Sequence, residues 1–140
     1  MKKIYTKHFP IKGFAALTIW PFVFVRSDSK ESFTKKMERH ETTHAKQQIE
    51  MTVVGLFLAI SMFLFDCGWY SLIPVGLFFE LYCLEWLVKL PLCGFCIKKS
   101  YLSISFEQEA YDHQDEVYYN EVRKDFAWLR YLFTITTMEI

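Results

Sequence analysis

The sequence lacks any excess of one charge: lysine plus arginine and aspartate plus glutamate both number 16 in 140 residues. With zero formal charge and no basic stripe, nothing argues for a nucleic-acid partner. Glycine and proline are scarce, at five and four residues, and neither occurs between Lys30 and Val54. Gly55 alone need not stop a helix, so one long helix is expected from about residue 30 to 65. No secretory signal is visible. The basic stretch 1–12 reads as a loose start, and the apolar stretch after it is interrupted at Trp20-Pro21 and has no small-residue cleavage site. Four cysteines in such a chain read as free thiols rather than a disulfide framework. Cys93-Gly-Phe-Cys96 has no second pair for a zinc ribbon and no thioredoxin-like context, so it reads as two ordinary thiols. Cys67 and Cys83 fall in apolar runs and read as small hydrophobes.

What the chain has in abundance is apolar surface. Hydrophobic residues make up 52% and aromatics 19%, concentrated between Met51 and Leu92. The length suits one domain with one core. The long helix is charged in its first half (Lys35, Lys36, Glu38, Arg39, Lys46, Glu50) and uncharged from Met51 to Phe65. Asp66-Cys-Gly68 supplies a turn, Trp69-Tyr70 an interfacial aromatic pair, and a second apolar stretch runs from about Trp69 to Leu92. The first stretch, about 15–18 residues, is near the lower limit for a bilayer of roughly 30 Å. The second contains Glu80, Glu85 and Lys89. Glu85 and Lys89 can pair at i,i+4 near the membrane edge, and Glu80 would face the partner helix or a wet cavity. A transmembrane hairpin over 51–93 is expected first, a monotopic hairpin second. Lysines and arginines precede the first stretch and follow the second, and the connection near Asp66 has none. The positive-inside rule then puts both termini, with residues 1–50 and 94–140, on the cytoplasmic side of the cell (inner) membrane.

Before the long helix, Phe14 to Val25 is rich in β-branched and aromatic residues. It reads as two short extended segments or a hairpin with Pro21 at an edge or bulge, an apolar loop being the alternative. Asp28 and Ser29 are candidate N-caps, with Glu31 completing a capping box to Asp28. The expected fold is mainly α: a long helix, an apolar two-helix hairpin, a C-terminal helix and a short N-terminal β segment.

The chemistry sits in His40-Glu-Thr-Thr-His44. On a helix, His40 and His44 are one turn apart and share a face, so two imidazoles can bind one metal ion. Glu41 lies about 100° round the axis, beside the metal rather than on it, where a general base belongs. This HExxH pattern is the signature of zinc peptidases, and zinc is the expected cofactor. A third ligand must come from the same side of the membrane. Ser105 can cap a further helix, with Gln108 as capping-box partner, running to about Phe133. Glu107 and Glu109 near its start are about 200° apart, so only one can face inward. The Glu109 face continues through Asp112, His113, Glu116, Asn120 and Arg123 and reads as solvated. The Glu107 face continues through Ala110, Tyr111, Gln114, Tyr118 and Val122 and reads as buried or cleft-lining. Glu107 is therefore the expected ligand, with Glu109 the alternative. Two histidines and a glutamate leave one position open on zinc. Tyr111, Tyr118, Tyr119 and His113 are candidates for stabilising a developing oxyanion or supporting the ligands.

HETTH followed by a helix beginning Phe-Glu-Gln-Glu-Ala-Tyr resembles the gluzincin arrangement, in which a downstream glutamate helix completes the HExxH site. Glu107-Gln-Glu-Ala-Tyr111 is similar to the Glu-x-x-Ala-Asp of membrane gluzincins such as the CAAX prenyl protease group, and more distantly the chain resembles minigluzincins. The match places the ligand at Glu107 and departs at Tyr111, where those families carry an Asp that hydrogen-bonds a zinc-bound His. Most of residues 14–132 also resembles a group of small Bacteroidetes membrane proteins. They share an Ala-Leu-Thr-Ile-Trp-Pro-Phe-like segment, His-Glu-x-x-His-x-x-Gln-Gln, an apolar hairpin, Ser-Phe-Glu-x-Glu-Ala-Tyr and an Ala-Trp-x-x-Tyr-Leu end. The resemblance implies a membrane metallopeptidase acting on peptide or membrane-protein substrates.

Two other classes compete. In one, a non-catalytic membrane scaffold uses the metal only to staple two helices. In the other, a di-metal carboxylate protein would build on Glu41-Thr-Thr-His44, but that architecture wants a second Glu-x-x-His and the sequence contains none.

Overall fold

The computed structural model describes residues 1–11 and 13–137. Its N-terminus is a three-stranded sheet in the order β1-β3-β2, with β1 at Lys2–Thr6, β2 at Ala16–Ile19 and β3 at Phe22–Arg26. The extended segments flanking Pro21 form an antiparallel hairpin, Thr18 opposite Val23. The start expected to be loose is instead an edge strand, paired parallel to β3. Its lysines suit that place, because charged side chains on an edge discourage further pairing. Alternation buries Ala16, Thr18, Val23 and Val25 on one face, and β2 packs against the long helix.

That helix, α1, spans Lys35–Leu64, about 45 Å at 1.5 Å per residue. Its cap is Thr34, whose hydroxyl accepts from the Met37 N–H at 3.3 Å. Asp28 does not cap it. The Arg26 guanidinium takes that carboxylate, and Ser27–Ser29 forms a separate 3-10 turn. Gly55 lies inside α1 and is needed there: a Cβ at this position would sit 2.0 Å from the Pro74 carbonyl oxygen. Pro74 belongs to a 3-10 segment, Gly68–Gly76, that starts the second apolar stretch; helix α2, Leu77–Leu92, completes it. Both long segments, Lys35–Leu64 and Gly68–Leu92, are long and apolar enough to cross a membrane.

After a short α3 (Ile97–Leu102), helix α4 covers only Ser105–His113. The expected continuation to Phe133 is broken. A small α5 (Tyr119–Val122) and a 3-10 turn (Ala127–Tyr131) fold back instead, with Phe126 in the left-handed region at φ 54°. The reason is electrostatic. A straight helix would carry Arg123 about 21 Å along the axis from Glu109. The fold-back places the Arg123 Nη2 3.1 Å from Glu109 Oε2 and pairs it with Glu50 of α1 as well. The expected solvation therefore fails at Glu109, which is 0% exposed, and holds at Asp112 and Glu116, which are exposed. On the Glu107 face, Ala110 is buried as expected, whereas Tyr118 and Val122 are exposed.

The expected capping box is also replaced. Ser105 donates its N–H and hydroxyl to the Glu85 carboxylate, at 2.9 and 2.6 Å, so a residue of α2 caps α4. Gln108 donates instead to the Ser103 carbonyl at 2.6 Å. Glu85 pairs with Lys89 at 2.6 Å as the i,i+4 spacing predicts, and the buried Lys89 also donates to the Ser103 and Tyr131 carbonyls. The main core gathers Met51, Phe78, Ile104, Phe106 and Trp128 from α1, α2, α4 and the C-terminal turn. All four cysteines are free.

Candidate metal centre

His40 and His44 project from the buried face of α1, and Glu107 meets them from the first turn of α4. All three side chains are buried. The two Nε2 atoms lie 3.0 Å apart. Glu107 Oε2 is 3.4 Å from His40 Nε2, and Oε1 is 3.2 Å from His44 Nε2. The group could hold a metal ion. Donors on a tetrahedral zinc, with bonds of about 2.0–2.2 Å, are spaced about 3.4 Å apart, so the observed separations are close to that arrangement. The proton count argues the same way. Two facing ring nitrogens can share only one proton, and Glu107 Oε2 is buried with no hydrogen-bond partner. Buried polar groups are rarely left so, and a cation at the point of convergence would satisfy all three.

Without a metal the cluster holds itself together by charge. Burial acts to raise the Glu107 carboxyl and lower the His44 imidazole. Their mutual attraction outweighs burial, holding Glu107 well below the usual carboxylate range and pushing His44 up to about 9. A metal would replace the His44 proton.

A polar shell surrounds the ligands. His44 Nδ1 is 2.8 Å from Gln47 Oε1, and the Gln47 amide nitrogen donates to Glu109 Oε2 at 2.9 Å and to the Phe106 carbonyl at 3.0 Å. Tyr82 of α2 donates to Glu107 Oε1 at 2.8 Å. Tyr101 of α3 interacts with Glu107, Tyr82 and Tyr111, and the Tyr111 ring packs edge-on against His40 with centroids 4.6 Å apart. Burial, then the charges of Glu107 and Glu41, push the Tyr111 phenol up to about 12. It therefore stays protonated, able to donate a hydrogen bond. His40 Nδ1 has no partner.

Glu41 is buried beside the ligands and is held by the sheet. The Thr18 hydroxyl of β2 donates to its Oε2 at 2.6 Å. Gln48 fixes that strand in turn, accepting from the Trp20 N–H at 2.8 Å and donating to the Thr18 carbonyl at 2.7 Å. β2 is an edge strand, so part of its free edge is occupied by this amide.

The other sequence candidates lie elsewhere. Glu109 is outside the converging group, its carboxylate taken by Arg123, by the Tyr119 hydroxyl at 2.7 Å and by Gln47. His113 stacks on Tyr119 at 3.7 Å and contacts Glu116 and Tyr131. Tyr118 is exposed. Thr18, Tyr82 and Tyr101 were not legible as site residues: Thr18 sits in a strand, Tyr82 in an apolar run and Tyr101 in a short helix, and only the tertiary fold brings them in. No protein-family model matches the chain, and neither the curated proteins nor the solved structures contain a significant match.

Proposed function

We propose that the chain is a membrane-anchored zinc metallopeptidase of the gluzincin type, with its site at the cytoplasmic surface of the inner membrane. The observation that carries this reading is the buried convergence of His40, His44 and Glu107 with Glu41 beside them. Bound zinc would act as a Lewis acid, polarising the scissile carbonyl and making water acidic enough to attack. Glu41 takes the proton of the attacking water and delivers it to the leaving amine. Thr18 holds one carboxylate oxygen of Glu41 and leaves the other free for that transfer. Tyr111, protonated and against His40, is placed to donate to the oxyanion. The part of the β2 edge that Gln48 leaves open offers backbone groups for an extended peptide substrate.

Membrane anchoring is supported by the surface of the hairpin. Val53, Phe57, Ile60 and Phe63 on α1 and Leu84, Leu87, Val88 and Leu92 on α2 are exposed. An untilted α1 measured from the Asp66 turn would cross about 30 Å of hydrocarbon within about 20 residues, near residue 45. Lys46 and Glu50 lie near that boundary and are turned from lipid by Asn120 and Arg123. That puts His44 at the bilayer surface and favours membrane-borne substrates.

The competing scaffold reading draws on Tyr111, which cannot supply the carboxylate its position has in the families resembled. The Glu41→Gln variant separates the two. As an enzyme the protein keeps its zinc and loses about 10²–10⁴-fold in peptide-library cleavage; as a scaffold, wild type and variant digest nothing.

A further inference from the structure

His40 and His44 are supported differently. The His40 Nδ1 atom is buried and has no partner, and the ring only packs against Tyr111. His44 is the end of a continuous polar chain. Its Nδ1 meets Gln47 Oε1, the Gln47 amide donates to Glu109, and Arg123 clamps Glu109 against Glu50. Every link is buried: Gln47 and Glu109 are 0% exposed, and the Arg123 side chain 1%. An amide oxygen cannot donate, so the Nδ1 contact requires a proton on the imidazole. That keeps a proton on Nδ1 and leaves Nε2, which faces Glu107, as the nitrogen for a metal. The Gln47 amide cannot rotate without losing its bonds to Glu109 and the Phe106 carbonyl. The chain's fold-back at α5 is what delivers Arg123 to this position.

We infer that Gln47, locked by Glu109 and Arg123, is the positioning residue that holds His44 as a metal ligand. This rests on the zinc-site reading. It assigns a function to a carboxylate–arginine pair that the ligand set does not use. Outer groups of this kind change metal affinity by about 10–100-fold.

The test is zinc affinity of the detergent-solubilised full chain, measured by chelator competition, with the absorption spectrum of the Co²⁺-loaded protein beside it. Gln47→Met removes both functions of the amide; Gln47→Glu keeps an acceptor for His44 Nδ1 and, by sharing one proton with Glu109, the link to that carboxylate, and loses only the donation to the Phe106 carbonyl. The expected result is a 10–100-fold weaker zinc complex and an altered Co²⁺ spectrum for Gln47→Met, with affinity within about threefold of wild type for Gln47→Glu. A purely structural glutamine predicts equal losses in both variants and overturns the proposal. So does wild-type affinity in Gln47→Met. If wild type binds no zinc, the underlying site reading fails together with this one, a result distinct from zinc that binds but ignores Gln47. Should the variants not fold, nitrogen-15 spectra of zinc-loaded wild type decide. A hydrogen-bonded Nδ1 proton on His44 supports the proposal, and a protonated Nε2 contradicts it.

Discussion

The two halves of α1 invert the usual arrangement of a protein. From His40 to Gln48 the buried residues are mostly polar, among them both histidines, Glu41, Thr43 and both glutamines. Beyond Met51 the helix is apolar and outward-facing, with Phe57 at 70% and Phe63 at 73% exposure. One continuous helix therefore passes from a polar interior to an apolar exterior without a break. In water the second half would be costly, at about 25 cal/mol for each Å² of apolar surface left exposed. In lipid it costs nothing, and the backbone is already satisfied within the helix. Conversely, the first half buries charge only where partners exist. The difference teaches that the polar half is held by pairing and the apolar half by its solvent, so each should break by a different perturbation.

The largest effect on folding is expected in the polar half. Arg123→Ala leaves Glu50 and Glu109 buried without their cation. Stability should fall by about 3–5 kcal/mol, read from denaturant unfolding in detergent. A loss under about 1 kcal/mol would mean that the pair is solvated. Next comes the crossing point of the hairpin. Gly55→Ala drives a methyl into the Pro74 carbonyl and should cost about 1–3 kcal/mol while leaving zinc affinity intact. The pH response of metal binding is expected to be about tenfold per unit where one proton is displaced. Because His44 is raised to about 9 by Glu107, its proton is present through neutral pH, and zinc must expel it. Zinc affinity should rise with pH up to about 9 and level off above. For the metal-free protein the sign is opposite: the raised His44 stabilises below about 6.5, and that contribution fades as pH rises through about 9. The lowered Glu107 stabilises above its unfolded value near 4.5, a contribution lost in acid. The smallest effect on folding is expected on the lipid side. Phe57→Ser should change detergent-state stability by about 0.5 kcal/mol or less yet weaken retention in vesicles. A large loss of stability would place Phe57 in a packed interface.

A topological test sharpens the same contrast. If the hairpin spans, Cys67 at its tip is modified by an impermeant thiol reagent from outside intact cells, in a background lacking the other cysteines. Labelling only after permeabilisation would favour the monotopic insertion.

How much of this was legible before folding follows from where the forces are local. The length of α1 could be read because a run without glycine or proline acts residue by residue, and the hairpin because β-branched residues alternate around Pro21. Glu107 was legible because its face, continuing through Ala110 and Tyr111, reads as buried or cleft-lining. The reason given for Glu109, a solvated face, was wrong. Glu109 is buried because Arg123 returns to it, while Asp112 and Glu116 stay exposed, and no periodicity encodes a fold-back driven by an ion pair 14 residues away. The caps failed similarly. Asp28 lost its role to Arg26, and Ser105 lost its own to Glu85 from another helix. At α4 a long-range partner outcompeted the local one, whereas at α1 the competitor, Arg26, is two residues away and the cap falls to Thr34. The lysine-rich β1 looked loose because edge strands carry the composition of coil.

His40, His44 and Glu107 are expected to hold one zinc ion, which elemental analysis of the chain purified in detergent with limiting zinc measures. One zinc per chain is expected in wild type and in Glu41→Gln, and almost none in Glu107→Ala. Wild type without metal, or Glu107→Ala at full occupancy, would contradict it.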